Sequence, residues 1–294
     1  MSNFTAATRE KIKLRIALTG VSGSGKTLGA LSIAYGITGD WSKIALIDTE
    51  HDRAKLYAER SDFDYPTGQF LHATMGAPYS PEKYKKLVKE ASDIVGPDGV
   101  VIVDSFSHAW NNEGGILDIK EKIAAQSNKN SYTAWNEAGQ EQNRLVNYIL
   151  SVDSHTIVTM RSKMDYIQTE NAEGKKVIKK VGLAPIQRDD TEYEFDIVLN
   201  IDRNHVATAS KDTTFLDRLG EVITPELGTH LIKWINEGQE PEKLICEECG
   251  NVIKGNEKAS AKRVAEYSMK IYGKQLCADC GIKYKKGEIK NDKN

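Results

Sequence analysis

The residues with the clearest chemical potential form one glycine-rich segment near the start of the chain. It reads Gly20-Val-Ser-Gly-Ser-Gly-Lys26-Thr27 and fits the pattern G-x-x-x-x-G-K-[ST] at every fixed position. Glycines let the backbone wrap closely around an anion, and the start of a helix adds partial positive charge. We therefore predict a phosphate site, rather than a chance glycine-rich turn, formed by Gly20, Val21, Ser22, Gly23, Ser24, Gly25, Lys26 and Thr27.

Within this segment, two side chains have distinct predicted roles. Lys26 should reach the β- and γ-phosphates of a nucleotide, and Thr27 should place its hydroxyl on Mg²⁺. A second magnesium residue is Asp104, which ends the apolar run Val100–Val103. An acidic residue at the end of such a strand holds magnesium in phosphoryl-transfer sites, although it could instead cap the next turn.

A further carboxylate follows another apolar run. The segment Ile47–His51 places Glu50 just beyond the end of a strand next to the phosphate loop. A glutamate there can polarise the water that attacks the γ-phosphate. The alternative is a solvated acidic turn without a chemical role.

The elements that must position these residues alternate between strands and helices. Continuous apolar runs such as Val100–Asp104 suit parallel strands buried on both faces, and the alternation favours an α/β fold with a parallel sheet covered by helices. The predicted strands are Lys13–Thr19, Lys43–Asp48, Phe70–Thr74, Val100–Asp104 and His155–Met160, and the predicted helices are Lys26–Gly36, Pro81–Val95 and Thr133–Leu150. Beyond Met160, the sequence predicts a hairpin over Tyr166–Val181 and a strand pair over Phe195–Asp202 and His205–Ser210.

Four cysteines near the C-terminus form a second constellation. They are arranged as two Cys-x-x-Cys pairs, Cys246 with Cys249 and Cys277 with Cys280. Two such pairs can surround one Zn²⁺ with four thiolates, which would be a structural site; a redox role is disfavoured because neither pair follows a βαβ pattern. We predict a large domain over residues 1–238 and a zinc-binding module with a Lys-rich tail over residues 239–294, with a helix at Ser260–Tyr272.

Charge and hydropathy restrict the function further. The 294 residues carry a formal net charge of −2, so no global field draws the protein onto nucleic acid. Residues 241–294 hold twelve Lys and Arg against eight Asp and Glu, a mildly basic tail on an acidic body. The sequence shows neither a signal-peptide core nor a long apolar run, so we expect a cytoplasmic protein without membrane contact.

The motifs GVSGSGKT, LIDTEH and VVIVDS together resemble the RecA-like ATPase core. The sequence is especially similar to phage-encoded RecA-like proteins of the single-strand-annealing (Sak) type, also described as phage nucleotide-binding or AAA ATPases. The segments Val181–Asp189, Glu192–Asp196 and Ala209–Asp212 and the cysteine module carry the narrower resemblance. It covers most of residues 12–282 and implies a RecA-like P-loop NTPase fold that uses ATP and Mg²⁺.

The resemblance also implies roles for individual residues. Glu50 becomes the catalytic carboxylate and Asp104 the Walker B acid, while Arg161 or Lys163 lies near a residue that senses the γ-phosphate. Relatives often carry a Lys-x-Arg element that reaches into the nucleotide of the neighbouring subunit. This chain has Lys211 there, but Thr213 replaces the arginine, which disfavours efficient activation in trans; the alternative for Lys211 is a solvated lysine at a strand end.

Two segments, about 106–132 and 161–190, correspond to the loops with which RecA-like proteins hold DNA. The second contains a cluster of cations that could neutralise phosphates, and Tyr166 could stack a base; the alternative is a solvated hairpin with a charged face. The predicted DNA-binding residues are Lys175, Lys176, Lys179, Lys180 and Arg188. Trp110 and Trp135 flank the first segment, where packing is the more common role than base stacking.

The reading that combines these features is an ATP-dependent protein that binds single-stranded DNA in recombination or annealing. The expected partners are single-stranded DNA, further copies of the chain in a ring or filament, and a single-strand-binding or replication protein. If the protein is phage-encoded, its location is the host cytoplasm. One alternative is a nucleotide-switched replication accessory or helicase-loader-like module with slow hydrolysis. Another, a small-molecule P-loop kinase, is disfavoured because no arginine-rich lid segment is visible.

Overall fold

The computed structural model describes residues 6–126, 130–170, 176–240, 243–255, 259 and 261–288, and the side chains of these residues except at 164–170 and 176–182. The chain divides into two compact units. The larger unit is Ile12–Glu237, and the smaller combines the segment that ends at Lys11 with the residues from Gly238 onward.

A mostly parallel sheet forms the centre of the larger unit. Its strand order is β3-β2-β4-β5-β1-β7-β8-β9, with β6 paired to the far part of β5. The strands from β3 to β7 in this order are parallel, whereas β8 pairs antiparallel with β7, and β9 pairs antiparallel with β8. The strands are β1 Arg15–Gly20, β2 Ile44–Asp48, β3 Leu71–Thr74, β4 Val100–Asp104, β5 His155–Glu170, β6 Lys176–Pro185, β7 Ile197–Ile201, β8 Val206–Asp212 and β9 Glu221–Val222.

Helices cover both faces of the sheet. Alternate residues of the central strands pack to opposite sides, so Leu18 joins the core that contains α1 and α6, and Ala17 joins the core that contains α2 and α5. The helices of this unit are α1 Lys26–Thr38, α2 Pro81–Val95, α3 His108–Asn111, α4 Ile116–Ala124, α5 Ser131–Ser151 and α6 Pro225–Asn236. Every residue of β1, β2 and β4 is buried, which explains the apolar runs Ile16–Leu18, Ile44–Ile47 and Val100–Val103 within them.

Helices α1 and α6 approach each other closely at two glycines. A Cβ atom on Gly36 would lie 1.9 Å from the carbonyl oxygen of Pro225, and one on Gly228 would lie 2.2 Å from the carbonyl oxygen of Ile33. Any side chain at either position would therefore push the helices apart. This crossing holds α1, which follows the phosphate loop, against the rest of the unit.

The parallel α/β fold confirms the class expected from the sequence, but the order of the strands corrects one prediction. The strand that precedes Glu50 does not lie next to the strand that precedes the phosphate loop, because β4 and β5 separate β2 from β1. Sequence neighbours need not be sheet neighbours, since the crossover helices can carry the chain past several strands. The structure also shows α3 and α4 within the segment 106–132, which was expected to be a loop.

The smaller unit has its own core of six buried side chains, which are Cys246, Ile253, Ala265, Leu276, Cys280 and Tyr284. Its helices are α7 Ala261–Tyr272 and α8 Ala278–Lys285. The N-terminal segment joins this unit, because the Lys11 amide donates to the Gln239 carbonyl at 2.8 Å and the Gln239 amide donates to the Arg9 carbonyl at 2.8 Å. The predicted domains, residues 1–238 and 239–294, assigned this N-terminal segment to the larger domain instead.

Across the part of the chain that the structure describes, no helix combines the length and apolar character needed to cross a membrane.

Candidate functional site

The phosphate loop joins the end of β1 to the start of α1. A Cβ on Gly20 would lie 2.5 Å from the Ile201 carbonyl oxygen, and Gly23 and Gly25 have φ angles of 80° and 90°, which favour glycine. Gly25 occupies the N-cap position of α1 and has no side chain that could accept a hydrogen bond from the helix. The first N–H groups of α1 thus stay available for an anion. The loop has the backbone shape that a phosphate cradle requires.

Lys26 lies across this loop. Its Nζ donates to the carbonyl oxygens of Gly20 at 3.0 Å and Val21 at 2.8 Å. Burial lowers the pKa of Lys26, and the nearby carboxylates Asp104 and Glu50 act against this effect. The ammonium group is therefore held at the loop, where it can exchange carbonyl oxygens for phosphate oxygens.

Asp104 lies at the end of β4 and meets two hydroxyl groups. Thr27 Oγ1 donates to Asp104 Oδ2 at 2.6 Å, and Thr159 Oγ1 donates to Asp104 Oδ1. Burial raises the pKa of Asp104, whereas the two hydroxyls oppose the shift by stabilising the carboxylate. The hydroxyl and carboxylate oxygens of Thr27 and Asp104 are ligands that Mg²⁺ prefers, so these residues fit a magnesium site.

Glu50 reaches the same region although its strand lies three positions away from β1. Asp48, buried at the end of β2, accepts hydrogen bonds from the Glu50 amide at 2.6 Å and the Ala54 amide at 2.9 Å. These bonds turn the chain after β2. The Glu50 carboxylate then accepts a hydrogen bond of 2.8 Å from Nε of Arg161.

The charge of Glu50 is set by two opposing influences. Burial by itself would raise the pKa of this carboxyl, but the hydrogen bond and positive charge of Arg161 outweigh burial and hold the pKa below its usual value. Glu50 is therefore ionised at neutral pH, as a residue that polarises a water molecule must be. The family resemblance made Arg161 a candidate for sensing the γ-phosphate, but the sequence did not predict its hydrogen bond to Glu50.

A hydrogen-bond network behind the site was not foreseen from the sequence. Thr49 Oγ1 lies 2.7 Å from Nδ1 of His108 and accepts a hydrogen bond of 2.7 Å from the amide of Ser105. The hydroxyl of Tyr84 donates to the Ser105 carbonyl at 3.0 Å. The network connects the turns that follow β2 and β4, and therefore fixes Glu50 and Asp104 relative to each other.

One cavity of about 300 Å³ collects most of the residues that were predicted to bind the nucleotide and magnesium. Its lining includes Ser22, Gly23, Gly25, Lys26, Thr27, Glu50, Asp104 and Arg161. It also includes Arg53, Leu56, Tyr57 and Arg60, which sequence reasoning missed. These four lie in or just beyond the short 3₁₀ helix Arg53–Tyr57, and their nearness to Glu50 in the sequence was the available signal.

Lys211 lies far from this cavity in its own chain. It is paired with Val198 near the start of β7, whereas the phosphate loop follows the other end of the neighbouring strand β1. Its Nζ donates to the backbone carbonyl of Tyr193. Within one chain Lys211 cannot reach the phosphate loop, so its predicted action in trans stays a prediction.

The predicted DNA-binding hairpin exists as the antiparallel pair of β5 and β6. Lys176, Lys179 and Lys180 are residues of β6, whereas Lys175 lies outside the described residues. Arg188 follows the hairpin, and its Nη1 donates to Asn143 Oδ1 at 2.8 Å. It lines a polar cavity of about 370 Å³ together with Asp189, Asp190 and Glu194. These carboxylates make the surroundings of Arg188 unfavourable for a polyphosphate chain.

The two tryptophans of the first predicted DNA segment lie against each other. The rings of Trp110 and Trp135 are stacked, with centroids 6.3 Å apart, and Lys120 Nζ lies 5.1 Å from the centroid of the Trp135 ring. Trp135 is exposed and Trp110 is partly buried. The two tryptophans therefore pack against each other, but neither is fully buried in the core as was expected.

In the smaller unit, the four cysteine sulfurs converge. Their Sγ atoms all lie within 4.8 Å of one another, and those of Cys249 and Cys277 are 3.9 Å apart. A tetrahedral Zn²⁺ with Zn–S bonds of about 2.3 Å requires sulfurs about 3.8 Å apart. Burial opposes ionisation of Cys246, but backbone N–H groups of Cys277, Cys249 and Glu248 lower its pKa to about 6. Both the geometry and the donor chemistry fit a zinc ion.

The parallel α/β sheet, the glycine-rich loop before α1 and the Thr27–Asp104 pair define the larger unit as a P-loop NTPase of the AAA type. Residues 12–222 match the family model described as AAA domain, so the chain belongs to this family. This membership implies nucleotide-binding ATPase activity with Mg²⁺. A search of curated proteins finds no match.

Proposed function

We propose that the protein is an ATPase that binds single-stranded DNA in recombination or annealing, of the phage Sak type that its sequence resembles. The observation that carries the proposal is the position of Arg161. This residue holds Glu50 through a 2.8 Å hydrogen bond and also belongs to β5, which continues into the lysine-bearing hairpin. A nucleic acid bound to the hairpin would thus act on the residue that positions the proposed catalytic carboxylate.

The chemistry of hydrolysis follows from the residues around the cavity. Glu50 would orient the attacking water and accept its proton, and Lys26 would stabilise negative charge on the transferred phosphate. Thr27 and Asp104 would hold magnesium, which supplies further charge neutralisation when bound. Arg161 keeps Glu50 ionised and directed toward the cavity, so it acts as a positioning residue.

Binding of DNA would rest on β6 and on the hairpin as a whole. Lysines at Lys176, Lys179 and Lys180 supply salt-dependent, sequence-independent affinity for phosphates. The cysteine module would contribute a structural zinc, because all four ligand positions are cysteines. We further propose self-association into a ring or filament, in which Lys211 acts on a neighbouring copy.

The test is the rate of ATP hydrolysis with and without single-stranded DNA over a salt series. The proposal predicts a stimulation that fades as salt rises. Replacing Lys176, Lys179 and Lys180 together by Gln should remove the stimulation, whereas a matched replacement of Lys43, Lys86 and Lys89 should preserve it. DNA binding without any effect on hydrolysis would contradict the proposed coupling through Arg161.

A nucleotide-switched accessory protein is the second candidate. Two points favour it: Thr213 stands where the family resemblance implies an arginine, and the Lys211 ammonium donates to the Tyr193 carbonyl. In that case the protein would hydrolyse ATP slowly and with no response to DNA, while its affinity for a replication partner would differ between the ATP and ADP states. The same hydrolysis assay therefore separates the two candidates.

A further inference from the structure

The small unit carries a groove between α7 and α8 with a volume of about 370 Å³. Its lining residues recur three or four positions apart on each helix, as Val264 and Tyr267 on α7 and as Ala278, Ile282 and Lys285 on α8. Such spacing places the residues of each helix on one face. The groove is thus formed by two helix faces that lie side by side.

The groove leaves apolar side chains open to solvent. Tyr267 is 63% exposed and Ile282 is 52% exposed, in a unit whose described residues include a core of six buried side chains. Single exposed apolar residues are common on protein surfaces, but a contiguous apolar groove marks an interaction site. Val264, which is partly buried, and Leu276, which belongs to the buried core, complete the apolar lining.

The charge around the groove is positive. Arg263 and Lys285 belong to the lining, and none of the lining residues that the structure describes is acidic. Over residues 261–288 the sequence has seven Lys and Arg against three Asp and Glu. A partner that carries carboxylates beside apolar side chains would complement both properties.

We infer that this groove binds a short acidic, amphipathic segment of a partner protein. Apolar side chains of the segment enter between α7 and α8, and its carboxylates meet Lys285 and Arg263 at the rim. A peptide fits better than a nucleic acid because Arg263 and Lys285 are the only cations among the lining residues that the structure describes, whereas binding of single strands relies on many phosphate contacts. The inference concerns the small unit and does not depend on the proposed function.

The test uses the full chain with zinc bound and a fluorescein-labelled synthetic peptide of about twelve residues, with Leu and Phe at helical spacing and Asp and Glu elsewhere. Fluorescence anisotropy gives its affinity. Ile282→Glu should weaken binding about tenfold, since it removes an apolar anchor. Lys285→Glu should weaken it about fivefold through charge reversal at the rim. Lys286→Glu, the same change one residue outside the lining, is the control and should have little effect.

Ile282 and Lys285 are both exposed, so the two variants should keep their zinc. A colorimetric assay of the zinc that a thiol reagent releases from the protein verifies this. A peptide in which Ser replaces Leu and Phe should lose binding. Equal binding of that peptide would overturn the inference, because the attraction would then be purely electrostatic. Displacement of the acidic peptide by an oligothymidylate would assign the groove to nucleic acid instead. Absence of binding in low salt, or dimers of the free protein that Ile282→Glu dissociates, would also overturn it.

Discussion

Replacement of Arg161 by Ala tests whether this residue positions Glu50. The side chain of Glu50 is 19% exposed and that of Arg161 is 39% exposed, so their ion pair lies between a surface pair and a buried one. Allowing for solvent screening, we expect its loss to cost about 1 kcal/mol of stability. For a unit of this size that corresponds to a fall of about 2–4 °C in Tm.

The effect on hydrolysis should exceed the effect on stability. A carboxylate displaced by about 1 Å from its working position can lower the rate about a hundredfold, so we expect kcat to fall by one to two orders of magnitude while ATP binding is retained. Without Arg161 the pKa of Glu50 rises. Because the ionised form is the active one, activity that is lost as pH falls should be lost at a higher pH in the variant.

The matched control is Arg144→Ala, which removes an arginine from an ion pair with Glu141 on the surface of α5. It should leave kcat and its pH dependence unchanged. Steady-state hydrolysis from acid to neutral pH, together with a thermal melt, measures all these quantities. Unchanged or faster hydrolysis in Arg161→Ala, with an unmoved acid limb, would refute the positioning role.

Three further predictions rest on other parts of the structure. Lys26→Ala should abolish turnover while the cysteine module stays folded, because Lys26 bonds only to the phosphate loop within its own unit; a hydrolysis assay and zinc determination check this. Removal of zinc by a chelator should make the residues after Gly238 sensitive to protease and leave the larger unit resistant, since the metal is the link that joins the two Cys-x-x-Cys pairs. Gly36→Ala should destabilise the larger unit by about 1–3 kcal/mol, because its Cβ would lie 1.9 Å from the Pro225 carbonyl oxygen.

Each of these has a result that would contradict it. Residual hydrolysis in Lys26→Ala would exclude the proposed charge stabilisation, and a protease pattern that ignores the chelator would exclude a structural metal. An unchanged melting temperature in Gly36→Ala would show that α1 and α6 can separate at little cost. The control for Gly36→Ala is Gly76→Ala, because a Cβ on Gly76 would meet nothing within 4 Å and Gly76 has no positive φ. Gly39 is not suitable as a control, because its positive φ of 62° would strain an alanine.

Much of the nucleotide site could be predicted because its parts are local in sequence. The phosphate loop needs a strand, a glycine turn and a helix in succession, and all three lie within residues 15–38. The predicted bounds of α2 and β4 agree with the structure because Ser80 caps the start of α2 and Gly96 ends it, and because β4 is one apolar run.

Pairings between distant segments could not be predicted in the same way. Arg161 and Glu50 are separated by 111 positions, and their contact depends on the order of the three strands β2, β4 and β5. The position of β2 was wrong for this reason, since periodicity identifies strands but does not order them. Likewise, the pairing of Gln239 with the N-terminal segment depends on backbone hydrogen bonds, which carry no signature in the side chains.

The direction of β8 makes self-association testable. Because β8 is antiparallel to β7, Lys211 lies toward the starting ends of β1 and β7, whereas the phosphate loop follows the other end of β1. A role for Lys211 in hydrolysis therefore requires a second copy of the chain. Lys26→Ala and Lys211→Ala should then each be inactive alone. Mixed in equal amounts, they should restore about a quarter of the wild-type sites, because random assembly pairs an intact Lys26 with an intact Lys211 at that frequency. Full activity of Lys211→Ala alone would exclude the action in trans, and an inactive mixture of chains that exchange subunits would exclude a shared site.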